Sequence, residues 1–580
     1  MSVNPLTYPR LWSCLVLGTI VATIGQGSLL AQTPPPATIP LPKPLPPERP
    51  TQPSPPLLPP PENLYQLPTT PQPPVPQVPL NIPGTIIVSR FEIVGSTIFS
   101  AETLAQTTAP FVGRSLTFPE LLQAASAITK LYTDRGYITS GAFVPADQTF
   151  RREGGVVRIQ VLEGRLEEIQ VSGTRRLNQG YIQSRLAVAG AAPLNVDRLL
   201  NALQLLQLNP LISTISTELA TGSKPGQSLL RVAVTEAKTF SPLLSFDNNR
   251  SPSVGSEQRQ IGLSDINLLG LGDTLRFNYT NTDGSDSVET SYTLPVSPHN
   301  TTVRFAYRTA SNRVIEAPFN ALDITAASRS YELSVRQPIA ETPNQDFAVG
   351  LTFSRQESET ALLGIPFALS SGANSRGETR ISALRFFQEG LLRGSQEVIA
   401  ARSQFSLGLD ALGSTVNPSS PDSRFLSWRG QAQYARLLAP DTLVLARTGI
   451  QLADRPLVPL EQLSLGGVDT VRGYRQDYLL SDNGAFGSLE VRIPVLRVPE
   501  VEGILQVTPF LDFGTTWNTG RATPDPSTLF AGGFGLLWRQ GNYLTAQLQW
   551  GIPFISVSEN RRTWQENGLY FSIVYTPLLF

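Results

Sequence analysis

The chain is poor in the side chains that carry most protein chemistry. Its 580 residues include one cysteine, one histidine and one methionine, the last being the initiator. Cys14 stands alone, so neither a disulfide framework nor a thiolate metal site can be built. His299 stands alone too, which rules out paired-histidine zinc and leaves any histidine-containing triad resting on that one residue. It falls in the short polar run Ser297-Pro298-His299-Asn300, where a solvated imidazole is expected. No GxSxG nucleophile elbow and no phosphate-binding glycine-rich loop occurs. No enzymatic activity, metal or cofactor is therefore expected. A formal net charge of −1 offers no electrostatic basis for nucleic acid as a partner.

With catalysis set aside, the elements themselves carry the reading. Arg10 followed by the apolar run Leu11 to Ile24 reads as a signal peptide over residues 1–31. Ala31 suits the position before the cut, although Leu29 is large for its place, so the cut site stays open. The apolar run is short for a retained span of ~20 residues. Residues 32–84 are a proline-rich linker, and Pro34 to Pro83 holds nearly half of the chain's 50 prolines. Such a run favours polyproline II, reaches on the order of 150 Å, and reads best as a disordered tether.

Two repeats follow, at 85–164 and 165–238. One opens with Phe91-Glu92-Ile93-Val94-Gly95 and the other with Ile169-Gln170-Val171-Ser172-Gly173. They close on matching segments, Val156 to Gly164 and Leu229 to Ala237. Each copy is predicted as strand, helix, helix, strand, strand, an α+β domain with an exposed sheet edge. In the first, Thr117 and Glu120 form a capping box, apolar residues follow helical spacing from Leu121 to Tyr132, and Gly136 ends the helix. In the second, Asn195 is the N-cap before Val196, Leu199, Leu203 and Leu206.

From 239 to 580 the period becomes two. Leu275, Phe277 and Tyr279 alternate with Arg276, Asn278 and Thr280, and Val303, Phe305 and Tyr307 alternate with Arg304, Ala306 and Arg308. Leu544, Ala546, Leu548 and Trp550 do the same against Thr545, Gln547 and Gln549. One face is rich in rings and the other in Arg and Gln, the pattern of a membrane barrel with a wet lumen. Short turns such as Ala439-Pro440-Asp441 alternate with longer polar stretches, Glu316 to Ser328 and Asp410 to Ser423. The expected fold is an outer-membrane antiparallel β-barrel of about 16 strands, in contact with outer-membrane lipid, preceded by the two α+β domains in the periplasm.

At this point the chain resembles the two-partner secretion (TpsB) transporters, the haemolysin secretion/activation family. Tandem POTRA domains before such a barrel are that family's layout. The resemblance covers everything except the signal and the linker. Asn267 to Asp273 (NLLGLGD) looks like the family's second-strand segment. Val471-Arg472-Gly473-Tyr474, preceded by Gly466-Gly467, is similar to its VRGY motif at the tip of a loop folded into the lumen. Phe510, Asp512 and Gly514 match the partner motif FxDxG. The resemblance implies that Arg472 meets Asp512. Physically, a strand from Gln506 to Gly514 with Val507, Leu511 and Phe513 toward lipid leaves Thr508, Phe510 and Asp512 inside, where a guanidinium can fork onto the carboxylate. Leu569 to Tyr575, with the chain ending at Phe580, is similar to the signal read by the barrel assembly machinery, an expected partner during biogenesis.

The implied function is export of an unfolded, TpsA-like exoprotein. The POTRA domains would capture it by strand addition beside apolar side chains. Candidate capture residues are Ile128, Leu131 and Phe143 in the first domain, and Leu203, Leu206 and Ile212 in the second; the plainer reading of most of them is domain core. With no nucleotide site, folding of the exported chain outside is the expected drive. Family members often carry an N-terminal helix that plugs the barrel, whereas here only Glu62 to Leu67 could make a short turn. A related insertase would share this layout, generally with more repeats, and a passive porin would need none.

Overall fold

The computed structural model describes residues 65–66, 85–148, 155–419, 421–557 and 562–577. The signal peptide, most of the linker and Phe580 lie outside the described residues.

In the first α+β domain the strands Ile86–Val94 and Gly155–Leu162 pair in parallel at the centre of the sheet. Ser115–Leu116 and Gly141–Phe143 form the two edges. Helix Phe118–Thr133 starts where the Glu120 carboxylate accepts from the Thr117 N–H at 2.7 Å and from its hydroxyl at 2.9 Å. Its buried face packs on the sheet, Ala125, Ile128 and Tyr132 with Ile159 and Val161, and Leu121 with Val88 and Val157. This is the helical spacing of the sequence closing one core.

The second domain repeats the order with strand Arg165–Ser172, helices Gln179–Ala189 and Val196–Gln207, and strands Ile212–Thr221 and Gln227–Glu236. Asn195 caps the second helix by accepting from the Arg198 N–H at 3.1 Å. One edge of this sheet is not free. Tyr65–Gln66, from the linker, pairs in parallel with Thr217 and Glu218 on Ile212–Thr221. Within the segment Glu62 to Leu67, Tyr65 and Gln66 thus form a short strand rather than part of a turn.

The rest is a closed barrel of 16 antiparallel strands, in which Leu569–Tyr575 completes the ring by pairing with Phe240–Asp247. Outward residues such as Phe305, Leu333, Leu351 and Phe513 keep 46–50% of their surface exposed, an apolar belt that only lipid can cover. Their neighbours Arg304, Glu332 and Asp512 face the interior, where Arg304 pairs with Glu332 at 3.7 Å.

Three local expectations change. Thr325 to Ser328 belong to the 18-residue strand Thr325–Thr342, so the preceding loop is shorter than its polarity suggests. Asn267 to Asp273 is a turn between strands Gln258–Asp265 and Thr274–Asn281, not a strand. The predicted strand Gln506 to Gly514 is interrupted. Gly503–Val507 and Phe510–Trp517 are separate pieces of one barrel stave, divided where Pro509 has no N–H to give the ladder. Thr508 bridges the gap through reciprocal bonds with Gly535, at 2.8 and 3.1 Å.

Candidate functional site

The connection between strands Thr442–Ala453 and Asn483–Val498 folds back into the barrel as a small hairpin, Leu463–Leu465 against Leu479–Ser481. At its tip, Val471, Arg472 and Tyr474 are at most 1% exposed. Val471 and Tyr474 pack with Leu465, Leu479, Leu529 and Ala531, giving the tip an apolar footing on the barrel wall. An arginine in the middle of such a footing must bring its own counter-charges.

Those come from two neighbouring strands. Asp512 accepts from Arg472 Nε at 2.7 Å, from Nη2 at 2.9 Å and from the Arg472 backbone N–H at 3.0 Å. Glu490 accepts from Nη1 at 2.5 Å and Ser488 Oγ from Nη2 at 3.2 Å. The guanidinium also lies over the Phe510 ring, 3.5 Å from its centroid. Arg492 neutralises the remaining charge by donating to Glu490 at 2.9 Å. Two arginines and two carboxylates therefore form a balanced cluster. The structure brings Arg472 together with Asp512 and Phe510, and places Leu511 and Phe513 outward. Gly514 holds no charge but leaves room: a Cβ there would meet Leu465 at 2.8 Å and Val471 at 2.9 Å.

Glu490 escaped the sequence reading. Its signal was present, since Ser488, Glu490 and Arg492 alternate with Leu489, Val491 and Ile493. Only the fold shows that this strand runs beside Asp512, with Ser488 directly opposite it.

Gly473 and Tyr474 fasten the tip on its other side. Gly473 has φ +96° and donates its N–H to Tyr570 Oη at 2.9 Å. Tyr570 in turn donates to the Tyr474 carbonyl at 2.6 Å. The Tyr474 hydroxyl sits among the backbone groups of Phe530 and Ile555, within 3.0–3.3 Å. Opposite the tip the wall has Gly551, where a Cβ would lie 2.5 Å from the Gly473 nitrogen. Loop and wall meet backbone to backbone.

The second α+β domain is docked on the barrel. Arg176 donates to Thr239 Oγ1 and to the Asn267 carbonyl, both at 2.9 Å, and Asn178 N–H reaches the Gly270 carbonyl at 2.8 Å. Arg185 stacks over Tyr181 at 3.5 Å and donates to Asn300 at 2.8 Å. The NLLGLGD segment is thus a docking turn, and the buried Asp273 holds its shape by accepting from Leu269 and Leu271.

The candidate capture residues divide. Ile128, Leu203, Leu206 and Ile212 are 0–4% exposed and fill the two domain cores. Leu131 is partly buried against the first core. A side chain already enclosed cannot also receive a partner, so these residues hold the domains together. Phe143, 49% exposed at the edge Gly141–Phe143, is the one that presents an apolar surface. Among the described residues no group of His, Cys, Asp and Glu is arranged to hold a metal. His299 is exposed in its turn.

Comparison with known proteins places this geometry. The model of the haemolysin secretion/activation protein ShlB/FhaC/HecB matches residues 226–537, and that of the ShlB-type POTRA domain matches residues 86–164. The outer membrane transporter CdiB of Dickeya dadantii (strain 3937) is 23% identical over 470 residues, covering 79% of this chain and 81% of its own. The heme/hemopexin transporter protein HuxB of Haemophilus influenzae (strain ATCC 51907 / DSM 11121 / KW20 / Rd) is 21% identical over 425 residues, covering 70% and 71%. The solved structure of CdiB from Escherichia coli shares the fold with a TM-score of 0.66, at 21% identity over 85% of this chain and 90% of that one.

Proposed function

The chain belongs to the haemolysin secretion/activation family of outer-membrane transporters, with its POTRA region in the periplasm, and from that premise we propose that it captures one unfolded exoprotein and passes it outward through the barrel. Transporters of this family work with secreted TpsA-type exoproteins. The observation that carries the reading is the seating of the loop tip: Arg472 is buried in the lumen on Asp512 and Glu490, while the second domain is docked on the barrel at the Asn267 turn.

In this reading the periplasmic domains receive the chain in extended form, by strand addition at a sheet edge. Phe143 and the edge Gly141–Phe143 are the first contact. The loop carrying Val471 to Tyr474 is the barrier in the lumen. Its tip parts from Phe510, Asp512 and Gly514 when the chain passes. Folding of the exported chain outside supplies the drive.

The test is site-specific photocrosslinking in living cells with a photoreactive residue in place of Phe143, followed by mass spectrometry of the adducts. One large exoprotein, joined through its N-terminal region, is the expected result. Adducts spread over many barrel proteins would make the chain an insertase instead.

A further inference from the structure

Arg475 lies three positions beyond Arg472 in the same loop and grips a different part of the barrel. Its two terminal nitrogens fork onto Glu316, at 2.9 and 2.8 Å, and one of them also reaches Glu566 at 3.2 Å. Glu316 belongs to the connection before strand Thr325–Thr342, and Glu566 to the one before strand Leu569–Tyr575. Both connections lie at the end of the barrel away from the docked domain.

The contacts around this arginine join further loops. Gln476 N–H donates to Gln565 Oε1 at 3.0 Å, and the fully buried Gln565 donates to the carbonyls of Asn248 and Arg250. Arg562 donates to the Ala317 carbonyl at 3.0 Å. Glu566 is itself held in place, its second oxygen accepting from the N–H groups of Arg562 at 2.8 Å and Thr563 at 2.9 Å. Both carboxylates are largely enclosed, with side chains 11% and 1% exposed, and the Arg475 side chain is 16% exposed. A pair at that depth is weakly screened, so parting it strands charge.

We propose that Arg475 with Glu316 and Glu566 is an outer latch, separate from the Arg472 cluster, which holds the loops of the external mouth closed over the loop tip. The tip cannot leave the wall at Arg472 unless the fork at Arg475 opens as well. The latch rests on the reading of this barrel as a conduit. Its test needs no exported protein.

The purified protein is placed in planar bilayers, and single-channel currents are compared with those of a double variant, Glu316→Gln with Glu566→Gln. Both replacements keep the shape while removing the charge and turning one acceptor oxygen of each carboxylate into a donor. The expected result is an open probability raised roughly tenfold or more, from a barrel that still shows heat-modifiable mobility. A folded double variant that gates like the parent overturns the latch. Should that variant fail to fold, Glu316→Cys with Arg475→Cys decides, because Cys14 is the chain's only native cysteine. Before linking, this variant is expected to conduct more than the parent, and a short thiol-to-thiol crosslinker should return it to the closed level. Gating that ignores the crosslinker overturns the latch. A barrel that opens as expected but exports nothing would fault the secretion reading and leave the latch standing.

Discussion

Glu163 and Glu236 occupy the same place in the two periplasmic repeats and do the same job there. The Glu163 carboxylate accepts from the Thr97 N–H at 2.7 Å, from the Ile98 N–H at 3.3 Å and from the Tyr132 hydroxyl at 2.7 Å. The Glu236 carboxylate accepts from the N–H groups of Arg175, Arg176 and Leu177 at 2.6–3.0 Å. Each closes the loop between the first strand and the first helix. The repeat is therefore one of tertiary wiring as well as of sequence.

This wiring should make the domains acid-sensitive. Burial alone would raise both carboxyls, but the bonds donated to them outweigh it and hold each below the usual carboxylate range. A lowered native value means the stabilisation is complete above about pH 4.5 and fades as pH falls through that lowered value. Limited proteolysis of the detergent-solubilised protein from pH 7 to pH 3 should show the periplasmic region opening at the acid end. Glu236→Gln should lose about 1 kcal/mol at neutral pH, allowing for solvent screening, and flatten the acid limb of that curve.

The Arg472 cluster should behave as a unit. Asp512→Ala leaves a buried guanidinium without two of its bonds and the Arg472 backbone N–H without its partner, and should destabilise the barrel by about 3–5 kcal/mol. Arg472→Ala with Asp512→Ala should cost clearly less than the sum of the two single changes, because no unpaired charge then remains between them. Denaturant titration of heat-modifiable mobility measures all three. Additive effects would mean that the two residues do not act through each other.

Gly551→Ala tests the backbone-to-backbone seat of the loop. The new methyl would meet the Gly473 nitrogen at 2.5 Å and its Cα at 2.8 Å, so the tip must lift. Trypsin should then cut after Arg472 or Arg475 in a barrel that is otherwise folded. Gly487→Ala, with nothing within 4 Å of the added Cβ, should leave the loop as resistant as the parent.

Leu203 and Phe143 separate folding from capture. Leu203→Ala removes a fully buried side chain and should cost about 2–5 kcal/mol in the second domain. Phe143→Ala should leave thermal stability within about 0.5 kcal/mol and lower the yield of exported protein. Equal loss of stability in both variants would place Phe143 in the core as well.

The barrel was legible because lipid outside and water inside impose opposite demands on alternate residues, and Phe305 beside Arg304 records both. The loop motif was legible because Arg472 and Asp512 are conspicuous once the strand facing is known. Glu490 was not, since its partner is set by which strand lies next to which. Ile128, Leu203 and Leu206 on their helices and Ile212 on its strand read as capture candidates because apolar spacing marks a face without saying what covers it. The break at Pro509 needed the ladder around it, and the docking role of Asn267 to Asp273 depends on Arg176 and Asn178, far away in sequence.

The pairing of Tyr65–Gln66 with Thr217 and Glu218 has a bearing on how that sheet edge meets its surroundings. The two strands belong to one chain, so their encounter is unimolecular and depends on an effective rather than a bulk concentration. Any extended polypeptide that adds to Ile212–Thr221 must first displace a strand of the same chain. Its apparent affinity is reduced by the fraction of time the edge is taken. If the proposed capture uses this edge, a weakly pairing strand would be turned away without a dedicated filter, and a segment that also gains side-chain contacts beside the edge would be admitted.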